Sequence, residues 1–280
     1  MDCLNKKMKL SIIILNYKTK NLTKQCIKNI EHSDLAFEYE IIIVDNNSGD
    51  GIGFMMKQEF PNHKFIASDK NLGMGAGNNL GIKKAKGEYI LVMNSDVVVF
   101  NDSIKKLINF MDDNRKAGLI APQILNPDRT SVDSCCRWPK LDTFIYRRTF
   151  LGNTRKGKKE LDFYLYKTED LSQPRQVDWI FGCCLMLRKS ALDLIGMFDE
   201  KFFLFLEDTD LCRRIWQKDW QVWYVPLARV VHYPHRLSAS AGGMKDLLSK
   251  YTWIHLHSWI KYFIKWRKKS SLSRTQPKAG

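Results

Sequence analysis

The sequence predicts an α/β protein built on a mostly parallel central sheet flanked by helices, with an amphipathic helical extension at the C-terminal end. Three observations carry that expectation. Short apolar, β-branched runs alternate with stretches of helical periodicity, as in a doubly wound sheet with right-handed crossovers. Most of these runs stop at a polar turn rich in Asn, Asp, Ser or Gly, and such strand ends are where open α/β sheets gather their ligands. The 280 residues, 44% hydrophobic and 27% charged, suffice for one large domain plus an appendage. We place the domain at about 1–243, with a first half near 9–125 and a second near 175–240, and the appendage at 244–280.

In order, residues 10–15 form a first strand ended by Asn16-Tyr17, and Leu22, Cys26, Ile27 and Ile30 mark a helix behind it. Residues 39–44 repeat the strand and stop at Asp45-Asn46-Asn47-Ser48-Gly49-Asp50. Residues 64–67 give a third strand. The glycine-rich stretch 71–81 then reads as a loop entering a helix over 82–86, suited to an anion through its backbone N–H groups or simply to close helix–strand packing. Residues 89–93 drive an apolar strand into Asn94-Ser95-Asp96. That triplet can place a carboxylate on a divalent cation, or merely turn the chain. A helix over 103–111 and a strand over 118–122 follow. Residues 126–174 lose the pattern and carry the basic cluster Arg147, Arg148, Arg155, Lys156, Lys158 and Lys159; we expect an irregular insertion over the ligand edge of the sheet.

Order returns at 177–187, VDWIFGCCLML, and a helix over 190–195 follows. Residues 202–212, FFLFLEDTDLC, end an apolar run on Glu207-Asp208. Asp208 there either caps a helix over 211–218 or works as a general base with a pKa raised by desolvation. Strands at 221–225 and 230–232 bring His232 to a strand end.

The net charge of +15 calls for a polyanionic partner, and nine Lys or Arg against one Asp from residue 245 onward place eight of those charges in the tail. Seven cysteines without a CxxC pair suit a reducing cytosol better than a disulfide framework. The N-terminal stretch is too short in its apolar part for a signal peptide, and no run reaches the ~18–20 apolar residues of a bilayer span.

Taken together, SIIILNYK, IIIVDNNSGD, NLGMGAGNNLGI, NSD, GMFDEKFFLFLEDTDLCRR and the late His232 resemble, in that order, the bacterial inverting glycosyltransferases of family 2, most closely their rhamnosyltransferase-like branch. The likeness covers about residues 9–240. It implies a GT-A fold and a nucleotide-diphospho-sugar donor bound with Mg²⁺ or Mn²⁺, with dTDP-rhamnose as the favoured donor and a UDP-hexose as the alternative. Leu15, Asn16 and Tyr17 then correspond to the nucleobase cradle, with Asp45 on the pyrimidine imide. Asn71, Gly73 and Asn79 correspond to the loop beside ribose and diphosphate. Asn94, Ser95 and Asp96 stand where the family carries its DxD motif, with Asp96 as metal ligand. Asn94 replaces the first aspartate, so one negative charge is missing there. Asp208, beside Glu207, corresponds to the catalytic base. Trp179, with Phe181 and Gly182, reads as an acceptor platform or a core tryptophan, and His232 as a second metal ligand or a structural histidine. Arg213 or Arg236 would steady the leaving diphosphate.

The tail places Leu247, Leu248, Tyr251, Ile254, Trp259, Tyr262, Phe263 and Trp266 near helical spacing among lysines. Such a helix fits an anionic membrane surface, as for a cytoplasmic protein held at the inner face of the membrane beside a glycan or lipid-linked acceptor. It equally fits packing on the catalytic domain or on a second copy in a homodimer. A non-catalytic sugar- or nucleotide-binding module is the rival outside enzymes; no nucleic-acid motif accompanies the charge.

Overall fold

A computed structural model describes residues 8–233 and 249–267. The first half lays down β1 (Leu10–Asn16), α1 (Lys20–Glu31), β2 (Tyr39–Asp45), α2 (Ile52–Glu59), β3 (Lys64–Ala67), α3 (Met74–Ile82) and β4 (Tyr89–Asn94). β1 through β4 pair in parallel, in the order β3-β2-β1-β4. β1 is buried along its whole length because it lies between β2 and β4 with helices on both faces, which explains a run of isoleucines where an edge strand would alternate. After β3 the chain crosses to the far side of β1. The crevice of the sheet therefore opens between the carboxyl ends of β1 and β4.

β5 (Val97–Val99), α4 (Ser103–Asp113) and β6 (Ala117–Leu125) follow, and here the sheet departs from the expected parallel pattern. β10 (Cys184–Arg188) wedges between β4 and β6, antiparallel to both. β11 (Gln221–His232) runs parallel to β6 and antiparallel to β5 and to β8 (Arg175–Gln176). The nine-stranded sheet is thus parallel on its first side and mixed on its second. β11 fuses the two strands expected at 221–225 and 230–232; Pro226 falls where its register with β6 slips.

Two other expectations need correction. The helix placed at 82–86 is instead α3, formed by the glycine-rich stretch itself, because its small residues pack flush on β1 and β2. Gly81, for example, leaves no room for a Cβ against Ile13 and Val44. The insertion at 126–174 is not irregular. It carries α5 (Thr143–Arg148), a 3-10 turn (Phe150–Asn153) and α6 (Arg155–Tyr164), the last capped by the Thr154 hydroxyl, and β7 (Cys135–Cys136) pairs with β9 (Trp179–Ile180) to seat it beside the sheet.

α7 (Lys189–Ile195) and α8 (Glu207–Gln217) lie on the sheet, and α9 (Lys250–Trp266) closes the described structure. The aromatic face of α9 is turned inward: Trp259, Tyr262 and Trp266 form a cluster with Phe202 and Leu206. Among the described residues no helix is long and apolar enough to cross a membrane, and the six described cysteines are buried free thiols.

Candidate active site

The carboxyl ends of β1, β2 and β4 meet because their register pairs Asn16 with Asp45 and Leu15 with Asn94. Asn16 is fully buried, and its amide donates to Asp45 Oδ1 (3.0 Å), Ser48 Oγ (2.8 Å) and Asp50 Oδ2 (3.2 Å) while its carbonyl oxygen accepts from Thr19 and Thr23. With every donor and acceptor engaged, Asn16 cannot itself cradle a base. It aims Asp45 instead, whose side chain is half-buried, with Tyr17 exposed beside it and Leu15 packed under α3 at Gly77.

The glycine-rich segment is tied to β2 by a residue that the sequence showed only as part of a turn. Asn46 is buried; its amide donates to Asn71 Oδ1 and Gly73 O, and its oxygen accepts from Leu72 N. Gly73 has φ +83°, and a Cβ there would sit 2.1 Å from the Phe203 carbonyl oxygen, so glycine is required for the segment to reach 203. Asn79 does not face the cleft. Its amide donates to Phe198 O and Glu200 Oε1, and its oxygen accepts from Phe198 N, which pins α3 to the segment before α8.

At the end of β4, Ser95 Oγ meets Thr19 Oγ1 at 2.8 Å, and Val97 pairs with His232, which carries the histidine to Asp96. His232 Nε2 stands 3.2 Å from Asp96 Oδ1 without forming a hydrogen bond, and that carboxylate oxygen is buried and lacks a donor. An orphaned carboxylate oxygen beside an imidazole nitrogen is a donor set that Mg²⁺ or Mn²⁺ accepts. No three His, Cys, Asp or Glu converge among the described residues, so a cation held here would complete its shell from diphosphate oxygens and water.

Across the crevice, α8 begins at Glu207. Phe205 and Leu206 before it both adopt left-handed backbone, with φ of 70° and 68°. Two consecutive non-glycine residues in that region cost about 1–2 kcal/mol each, strain of a kind that collects at functional sites. Asp208 Oδ2 accepts from Gly182 N at 2.9 Å and Oδ1 from Thr209 N at 2.7 Å. Asp208 therefore lies one residue inside α8, and Leu206 occupies the capping position. Burial raises the carboxyls of both Asp208 and Glu207 above the usual range; for Glu207 the neighbouring Asp208 adds to the rise, and backbone N–H donors hold Asp208 partly down. Glu207 Oε2 is buried without a partner.

The two sides share one hinge of backbone. Cys183 O accepts from Asn94 N at 2.9 Å, and its neighbour Gly182 holds Asp208. The Cys183 thiol is pushed well up by burial first, then by Cys184, Asp96 and Asp208, so both carboxylates lie within electrostatic reach of one side chain.

Trp179 is not an exposed platform: it is buried, and its Nε1 donates to Arg137 O. Phe181, half-buried against Trp179 at 5.5 Å between ring centroids, is the aromatic face that remains beside Gly182. Arg213 is likewise enclosed, donating to Tyr262 OH and lying over the rings of Trp138, Tyr262 and Trp266, while Arg236 lies outside the described residues. Asp210, which the sequence left without a role, is fully buried and accepts from Arg214, Lys265 and Trp266.

The family model for glycosyl transferase family 2 matches residues 11–196. The chain is 29% identical over 249 residues to the N-acetylglucosaminyl-diphospho-decaprenol L-rhamnosyltransferase of Mycobacterium tuberculosis, covering 83% of this chain and 80% of that one. It is 25% identical over 266 residues to the rhamnosyltransferase WbbL of Escherichia coli, covering 91% and 93%. Among solved structures, GalNAc-T7 with UDP, GalNAc and Mn²⁺ superposes with a TM-score of 0.61 at 14% identity, over 82% of this chain and 44% of that longer one.

Proposed function

Because the chain belongs to glycosyl transferase family 2 and has the GT-A fold, we propose that it is an inverting transferase moving L-rhamnose from dTDP-L-rhamnose to a hydroxyl of a lipid-linked sugar or cell-surface polysaccharide. The observation that supports the reading is the 182–183 backbone, which accepts from Asn94 at the end of β4 through Cys183 and donates to Asp208 through Gly182, with His232 beside Asp96 two residues past Asn94. The choice of rhamnose, and of an N-acetylglucosaminyl diphospholipid as the first acceptor to try, rests on the two relatives named above, both rhamnosyltransferases, one of them acting on an N-acetylglucosaminyl-diphospho-decaprenol.

In this reading Asp45 accepts from the imide N–H of the pyrimidine, a donor set between two carbonyls. Asn71, Gly73, Asn94 and Ser95 line the ribose and diphosphate. Asp96 and His232 would hold Mg²⁺ or Mn²⁺, which supplies positive charge against the diphosphate when bound. Asp208 takes the proton of the acceptor hydroxyl as that oxygen bonds to the anomeric carbon. The bond from that carbon to the diphosphate breaks on the opposite face, so one displacement inverts the centre. Gly182 N–H and Thr209 N–H fix the base in place, and its raised pKa makes it a stronger base than a solvated carboxylate. Phe181 faces the apolar side of the acceptor sugar. The outward side of α9 carries Trp253, Ile260 and Ile264, all exposed, which suits a peripheral position on an anionic bilayer.

Asp208→Asn tests the assignment. Turnover with dTDP-L-rhamnose should fall by roughly 10²–10⁴, the range for loss of a general base, while donor affinity measured by calorimetry stays within a few-fold. Unchanged turnover would remove Asp208 from the reaction, and wild-type protein that binds donor without turnover on any acceptor would mark a binding module.

A further inference from the structure

Beside the catalytic cleft stands one cation that the reading above does not use. Arg147 and Arg148 are consecutive on α5, yet their surroundings differ. Arg148 is tied into the fold: its Nη2 meets His255 Nδ1 at 2.7 Å, and the ring of Phe144 packs on His255 and Trp259 of α9. Arg147 is exposed, and its partner is the Tyr164 hydroxyl rather than a carboxylate. Its guanidinium lies 5.7 Å from the centre of the Tyr164 ring and 5.9 Å from that of Phe181. Phe181 precedes Gly182, whose N–H holds Asp208, so the cation stands against the residue next to the one that fixes the proposed base. Behind it lies the buried Tyr164 hydroxyl, which interacts with Arg147 and with the Cys136 thiol. A cationic fork carried on a helix, backed by two rings and without a carboxylate partner among the described residues, is equipped for a phosphate.

What that phosphate carries is indicated by the next residues. Ile145, Phe150 and Leu151 are exposed apolar side chains on α5 and the turn after it, Phe150 at 78% of its full surface. Arg147 lies between Phe181, next to the Gly182 that holds Asp208, and the exposed apolar side chains of 145–151 in the chain around it. We propose that Arg147 binds the phosphate group linking the acceptor sugar to its lipid, and that Phe150 and Leu151 receive the first part of that lipid. The proposal rests on the transferase reading and assigns residues of this chain to the phosphate and the lipid of that acceptor.

The test compares two acceptors that differ only in the phosphate, a short-alkyl diphosphate ester of N-acetylglucosamine and the alkyl glycoside of the same sugar. Arg147→Ala should raise KM for the diphosphate ester about tenfold or more, leave kcat and the donor KM nearly unchanged, and leave KM for the glycoside within a factor of two; Arg147→Lys should retain part of the preference. Equal effects on both acceptors, no effect on either, or a wild-type protein blind to the phosphate would overturn the proposal. Should wild-type protein transfer sugar to neither acceptor, the functional reading fails, and calorimetric binding of the diphosphate ester still decides the role of Arg147: weakened binding in Arg147→Ala supports it and unchanged binding overturns it.

Discussion

Glu207 is the residue whose environment departs furthest from what water would give a carboxylate. It is buried, with one oxygen lacking any hydrogen bond, and desolvation together with Asp208 holds its pKa above the ordinary range. An acid whose folded pKa exceeds its unfolded value binds the proton more tightly when folded. Its contribution to stability is then present at acid pH and lost as pH rises through the folded pKa. Glu207→Gln removes that loss while keeping the shape, so it should melt higher than wild type at pH 8.5 and close to wild type at pH 4.5. Each kcal/mol recovered appears as about 2–4 °C in thermal melts. A variant less stable than wild type at pH 8.5 would show that Glu207 is ionised and paired. Asp96, Glu207 and Asp208 could be singled out in the sequence because each belongs to a short polar group that ends an apolar run. Asn16 and Asn79 turn inward against expectation, and of the two readings open for Trp179 the structure has the core tryptophan. A sequence shows that a polar or aromatic residue ends a strand, but not that its side chain has already found partners in Asp45, Phe198 or Arg137.

At the scale of elements, α9 explains how the strained segment before Glu207 is kept in place. Ser258 Oγ donates to Leu204 O, Lys261 Nζ to Lys201 O, and Lys265 reaches Asp199 and Asp210, so the helix clamps the backbone from 199 to 210 from outside. Its periodicity was readable, but which face is covered was not, because aromatic residues occur on both. Trp259, Tyr262 and Trp266 face the domain, whereas Trp253, Ile260 and Ile264 face out. Replacing the outward three by Ser should cut recovery with anionic vesicles in a flotation assay several-fold, with salt weakening what remains, and should leave the melting temperature unchanged. Equal recovery for variant and wild type would detach α9 from membrane binding. α3 was misplaced for a different reason: four glycines in eleven residues argue for a loop by propensity, and close packing on β1 and β2 overrides that preference.

Across the whole molecule, the strand order is what brings two distant stretches of sequence together at the candidate site. The parallel first half was visible from the alternation of strand and helix. The antiparallel entry of β10 between β4 and β6 was not, since a run such as CLMLR reads the same in either direction. Yet that entry brings 182–183, and with it Asp208, to the end of β4, and it sends β11 back to set His232 beside Asp96. The most direct test of this arrangement is a crystal structure of the protein with dTDP and Mn²⁺. The account predicts the diphosphate at Asp96 and His232, the thymine against Asp45, and the open side of the diphosphate facing Asp208. Nucleotide bound away from the ends of β1 and β4, for instance in the cavity of about 270 Å³ lined by Gln123, Ser131 and Tyr224, would contradict it.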